Sequence, residues 1–191
     1  MTINLEPRVV QAPVDLTQQE QQHIDQVILS ALMPWYYNDH TVGRATHPSH
    51  IHAQDIPYMF HYLMMRSANP EHEGLIVDQA QYAVFKAIFA RWAEANSVPW
   101  SRIYRASFNM SFSAPAEFTL PHIDHSFPHW NWVWYLDTVP NTPTVLWDDA
   151  WNITHEIPCV ENQAVAFTGR QHAWRYAPGF YRRRLVVFTF I

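Results

Sequence analysis

Apolar and polar positions change period midway along the chain. Ile24, Val27, Ile28, Ala31 and Leu32 recur at intervals of three and four, the spacing of one helix face. Thr17 followed by Glu20 forms a capping-box pattern that marks the start of this helix, and Pro34 ends it. Ile56, Met59, Phe60 and Leu63 predict a short helix over Asp55–Arg66, and a longer one is expected from about Leu75 to Ala95, before Pro99. Between them, Trp35 to Gln54 is rich in His, Tyr and Asn and reads as a loop. From Arg102 to Ser113 the residues alternate. Tyr104, Ala106, Phe108, Met110 and Phe112 fall on one face, and Arg105, Ser107, Asn109 and Ser111 on the other. A period of two is that of a strand. Further strands are expected at Asn131–Asp137, Thr144–Trp147, Asn152–Ile157, Ala164–Thr168, His172–Tyr176 and Arg184–Ile191, punctuated by Pro, Asn and Gly.

Helices followed by about eight short strands predict an α+β fold, a β-sandwich or jelly roll flanked by N-terminal helices. No internal repeat or linker divides the chain, so residues 1–191 are expected to form one domain, helical over about 1–100 and β over about 101–191.

Composition narrows the function. With 48% apolar and 15% aromatic residues among 191, the chain can bury a sizeable core. A net charge of −5 argues against a general nucleic-acid or membrane-surface binder. The single Cys159 rules out an intrachain disulfide and suits a reducing compartment. No signal-like segment or apolar run near the roughly 20 residues of a bilayer span is present, so a soluble cytoplasmic protein is expected. Four glycines leave no Walker loop, dinucleotide fingerprint or nucleophile elbow. The basic residues are almost all Arg, and three of them, Arg182, Arg183 and Arg184, are consecutive. A guanidinium fork matches carboxylates where Lys offers a point charge.

His122 and Asp124 are spaced i, i+2, so on an extended chain both side chains point the same way and can reach one ion. Two His and one carboxylate on one octahedral face make the facial triad of non-heme iron oxygenases, leaving open positions on the metal. Twelve His make the His-x-Asp spacing common by chance, so its context matters. His172 follows the apolar run Ala164–Phe167 and Gly169, and the three arginines come just before the apolar C-terminal strand.

In order, Arg105 and Asn109, Pro121–Asp124, Trp134–Asp137, Glu161–Phe167, His172 and Arg184–Phe188 resemble the 2-oxoglutarate/Fe(II) dioxygenase superfamily, in particular small prolyl-4-hydroxylase-like members. The resemblance spans roughly residues 102–191. It implies a double-stranded β-helix, with His122, Asp124 and His172 binding Fe(II). It also implies a basic residue at the start of the last strand gripping the distal carboxylate of 2-oxoglutarate. Arg184 is favoured because it directly opens the apolar run. Arg183 is its rival, and Arg182 fits only a longer inward-facing strand. Asn109, Tyr135 and Arg105 are candidates for hydrogen bonds to cosubstrate or substrate. Trp130, Trp151 and Trp174 are candidates for an aromatic wall at the substrate mouth.

The implied activity is hydroxylation of an amino-acid, peptidyl or small-molecule substrate, with release of succinate and CO2 and ascorbate as an auxiliary reductant. Two alternatives stand beside it. One is a cupin-like hydrolase or isomerase using the same three ligands with another metal. The other is a non-catalytic jelly roll that binds a ligand.

Overall fold

The alternation from Arg102 to Ser113 is realised as a ten-residue strand, Ile103–Phe112, and its two faces organise the molecule. The computed structural model describes residues 8–40, 47–179 and 181–191. In chain order the elements are β1 (Val9–Pro13), α1 (Gln18–His23) running into a π turn (Ile24–Ile28), β2 (Tyr36–Asn38), β3 (Ala53–Gln54), β4 (Tyr58–Met65), β5 (Leu75–Ile76) and α2 (Gln79–Ala95). Then come β6 (Ile103–Phe112), β7 (Phe118–Thr119), β8 (Trp130–Tyr135), β9 (Thr144–Trp147), β10 (Ile153–Ile157), β11 (Gln163–Thr168), β12 (His172–Trp174) and β13 (Arg182–Phe190).

An eight-stranded antiparallel sheet runs β1-β11-β8-β13-β6-β4-β2, with β5 on β4; β10-β9-β12 form a smaller sheet. The two sheets pack face to face: Leu146 and Ile157 of the small sheet share a core with Val133, Tyr135, Phe167 and Leu185 of the large one. This is a jelly roll within an α+β fold. Among the described residues, no helix is long and apolar enough to cross a membrane.

The apolar face of the large sheet lies beneath α2. Phe85 and Phe89 of that helix pack against Phe108, Trp132, Phe188 and Phe190, and the Phe89 and Phe188 rings stack at 5.2 Å. Burying each such ring contributes about 1.5–3 kcal/mol. The opposite face of β6 carries Arg105, Asn109 and Ser111 into a cavity between the sheets.

The reading of the first half is corrected in three places. The segment Asp55–Arg66 is the strand β4 rather than a helix, and it pairs with β6. A short apolar run fits either period, and here the open edge of β6 decided. Leu75–Ile76 is a strand on β4, and α2 begins only at Gln79, because the Asp78 side chain accepts from Gln81 N–H and caps it. The expected loop Trp35–Gln54 contributes β2 and β3; its residues 41–46 lie outside the described residues. The capping box at Thr17 and Glu20 is present as expected.

Candidate metal centre

His122 and Asp124 lie just after β7, and His172 opens β12. The two segments exchange backbone hydrogen bonds, His122 N–H to His172 O and His172 N–H to His122 O, both 3.0 Å. That bridge brings the two imidazoles to a ring separation of 4.4 Å. One potential ligand atom from each of His122, Asp124 and His172 lies within 4.8 Å of the others.

The proton positions matter more than the distances. His122 Nδ1 sits 3.1 Å from Leu120 O, and His172 Nδ1 sits 3.0 Å from Arg170 O. A carbonyl oxygen only accepts, so each Nδ1 carries a hydrogen, and Nε2 is the ring nitrogen that remains to serve as a ligand. His172 Nε2 then faces Asp124 Oδ2 at 3.4 Å. Two imidazole nitrogens and a carboxylate oxygen converge, an arrangement that a cation would satisfy. Backbone anchoring of Nδ1 is how metal-binding imidazoles are oriented.

Asp124 is held from behind. Its Oδ1 accepts from Arg66 Nη2 at 2.8 Å and Arg105 Nη1 at 3.0 Å, which leaves Oδ2 toward the histidines. Burial alone would raise the carboxyl, but contact with His172 and the Arg105 charge outweigh it and hold it well below the carboxylate range. Burial, reinforced by His172, pushes His122 down to about 4, so it is neutral at pH 7.

The triad opens on a cavity of about 500 Å³. Of the three consecutive arginines, Arg183 faces this cavity. It is 1% exposed, donates from Nη2 to Thr144 Oγ1 at 2.8 Å, and lies over the Tyr135 and Trp174 rings at 5.3 and 5.5 Å. Its Nε and the Trp174 Nε1 are buried without a partner among the described residues. Arg184, favoured from the sequence, turns outward instead to pair with Asp137, and Arg182 is exposed. The reason is register. Side chains alternate along β13, so Arg183 shares the cavity face with Leu185 and Val187, and Arg184 the opposite face with Val186 and Phe188, which belong to the core beneath α2.

The other sequence candidates divide. Asn109 lines the cavity, with its amide 3.0 Å from the Ser107 hydroxyl. Arg105 also lines it; its Nη1 and Nη2 bond Asp124 and Ser107, and its Nε is buried without a partner among the described residues. Tyr135 is fully buried and donates to Thr144 Oγ1 at 2.7 Å; burial pushes its phenol up to about 12, and it braces Thr144 and Arg183 rather than facing the cavity. Of the aromatic-wall candidates Trp174 lines the cavity, whereas Trp130 stacks with Phe190 and Trp151 packs on Trp147. Sequence reasoning missed Arg66, Thr144 and Asn131, which also line the cavity. Arg66 was hidden by the helical reading of β4. Asn131 and Thr144 sit in expected strands, but nothing local shows which face turns inward.

No family model matches the sequence, and no curated protein is similar enough to match it. Solved structures do match. An oxidoreductase of the 2OG-Fe(II) oxygenase family from Burkholderia pseudomallei is similar over 95% of this chain and 84% of its own, with a TM-score of 0.68 and 13% identity. The chain has the fold of the 2-oxoglutarate/Fe(II) oxygenases. The α-ketoglutarate-dependent epimerase SnoN of nogalamycin biosynthesis matches over 96% of this chain and 78% of its own, with a TM-score of 0.60 and 12% identity. A prolyl hydroxylase from Trichoplax adhaerens, in complex with a hypoxia-inducible-factor peptide, covers 95% and 83%, with a TM-score of 0.56 and 11% identity. An epimerase and a hydroxylase on one fold mean that the reaction must be argued from the site.

Proposed function

We propose that this chain is an Fe(II)- and 2-oxoglutarate-dependent oxygenase. His122, Asp124 and His172 hold the iron, and Arg183 pairs with the distal carboxylate of 2-oxoglutarate. The reaction proposed is hydroxylation of an amino-acid, peptidyl or small-molecule substrate, with release of succinate and CO2. The observation that carries this is the pairing of two features in one cavity: two imidazoles and a carboxylate whose ligand atoms converge, and a buried guanidinium whose Nε has no partner among the described residues.

The donor set fits iron. Two imidazoles and one carboxylate leave room on an octahedral ion for a chelating cosubstrate and dioxygen. Bound iron with 2-oxoglutarate supplies the oxidising power that cleaves a substrate C–H bond. The chain's own residues do the rest. Leu120 O and Arg170 O fix the imidazole tautomers, and Arg66 and Arg105 fix the Asp124 carboxylate. Arg183, braced by Thr144 and sandwiched by Tyr135 and Trp174, offers a charged fork in a water-poor pocket, where an unpaired carboxylate would be costly to bury. Arg183 also favours this reading over a cupin-like hydrolase, which has no use for a dicarboxylate anchor.

The test is succinate formation from 2-oxoglutarate with Fe(II) and ascorbate, screened against amino acids, peptides and small metabolites. Metal content after purification without oxygen is measured alongside. Failure to bind Fe(II) at micromolar concentration, or to bind 2-oxoglutarate once iron is present, would sink the proposal.

A further inference from the structure

The cavity carries more positive charge than the proposed cofactors can balance. Arg66, Arg105 and Arg183 line it, and Asp124 is the only carboxylate among its described lining residues. Three positive charges against one negative leave a surplus of two. A divalent metal adds two and the 2-oxoglutarate dianion removes two, so the surplus persists in the loaded site. Arg66 and Arg105 share a single acceptor, Asp124 Oδ1. Their exposure differs: the Arg105 side chain is 9% accessible, whereas that of Arg66, on β4, is 42% accessible and reaches the cavity mouth. Arg66 gives Asp124 two of its five N–H donors, one to Oδ1 and one to the backbone carbonyl. Its other N–H groups have no acceptor among the described residues, and Arg66 lines the cavity together with Tyr58 and Tyr62. Deeper in, Asn131 is completely buried on β8 and lines the same cavity. Both its amide atoms lack a partner among the described residues, so it too awaits a polar ligand.

We propose that the substrate carries an oxyanion, a carboxylate or a phosphate, on an apolar or aromatic body, and that this oxyanion docks on Arg66 while Arg183 is occupied by 2-oxoglutarate. This rests on the function proposed above. Guanidinium forks match both oxyanions, and the tyrosine walls suit the body behind them.

The test uses the full chain loaded without oxygen with Fe(II) and 2-oxoglutarate, titrated calorimetrically with matched pairs: benzoate and benzamide, 4-phenylbutanoate and its amide, phenyl phosphate and phenol. The charged member of at least one carboxylate or phosphate pair is expected to bind at least tenfold more tightly than its neutral partner, and which arm shows it identifies the oxyanion. In Arg66→Gln the preference should fall toward unity, and Arg66→Lys should restore part of it, with iron content measured in each variant. Equal affinity within every pair, binding of neither member, or acids that bind only by displacing 2-oxoglutarate would overturn the proposal. If 2-oxoglutarate itself gives no binding heat, the functional reading fails. The same pairs titrated into the metal-free chain then decide separately whether Arg66 prefers anions.

Discussion

Arg184 and Asp137 lock together on the outer side of β13, with Nε–Oδ2 at 2.9 Å and Nη2–Oδ1 at 2.6 Å. The neighbouring Arg183 points the opposite way, into the cavity. Two adjacent arginines therefore have separable jobs. Arg183→Gln should weaken 2-oxoglutarate binding about 10- to 100-fold, the loss of a charge-assisted hydrogen bond worth about 1.5–3 kcal/mol. Arg184→Gln should leave that affinity nearly unchanged and lower folding stability by about 1–3 kcal/mol. Calorimetric titration and urea unfolding of both variants check this; the reverse pattern would restore Arg184 as the anchor.

Asp124 joins the candidate metal centre to the two arginines behind it. Asp124→Asn should abolish Fe(II) binding and leave Arg66 and Arg105 facing a neutral amide, at a stability cost of about 3 kcal/mol. Arg105→Gln keeps all three ligands but frees the carboxylate to rotate, and should reduce metal affinity about 10- to 100-fold. Both are read by metal titration without oxygen. Unchanged affinity in the second variant would mean that Arg66 alone suffices.

Acid should destabilise the metal-free protein through its buried histidines. Burial and His172 hold His122 at about 4; burial and His129 hold His125 at about 3; the ordinary value is 6.5. The folded values lie below the unfolded one, so between them the unfolded chain binds more protons. Stability is full above about pH 6.5 and is lost progressively as the pH falls toward those folded values. The melting temperature of the metal-free chain should decline from about pH 6.5 to about pH 4.5, and a flat profile would show that these rings are not held neutral.

Gly169 makes room for His129. A Cβ there would lie 2.5 Å from His129 Cε1, and the ring is buried with Nδ1 held by Phe127 O at 2.8 Å. Gly169→Ala should therefore cost about 1–3 kcal/mol by overpacking. Because the turn leads directly to Arg170 and His172, metal affinity should fall with it. A thermal melt and a metal titration report the two effects separately.

The interface between α2 and the large sheet should dominate stability. Phe89 is fully buried against Trp132, Phe188 and Phe190, so Phe89→Ala should cost about 3–5 kcal/mol in urea unfolding. A loss under 1 kcal/mol would mean that the helix repacks freely.

The sequence by itself determined the strands of the second half and the two faces of β6, because a two-residue period leaves no other way to bury Ala106 and Phe108 while sparing Arg105 and Asn109. It also marked His122 and Asp124 as a pair able to point at one ion, since alternate positions on extended backbone share a side. Tertiary structure decided the rest. Whether Tyr58–Met65 became helix or strand depended on an open edge of β6, a partner more than forty positions away in the chain. Which arginine faced the cavity depended on the register in which β13 pairs with β6 and β8, and a shift of one residue exchanges the two sides of a strand. Arg66 reached Asp124 only because β4 joined that sheet. Local patterns fix what each segment can bury; long-range pairing fixes which side chains meet.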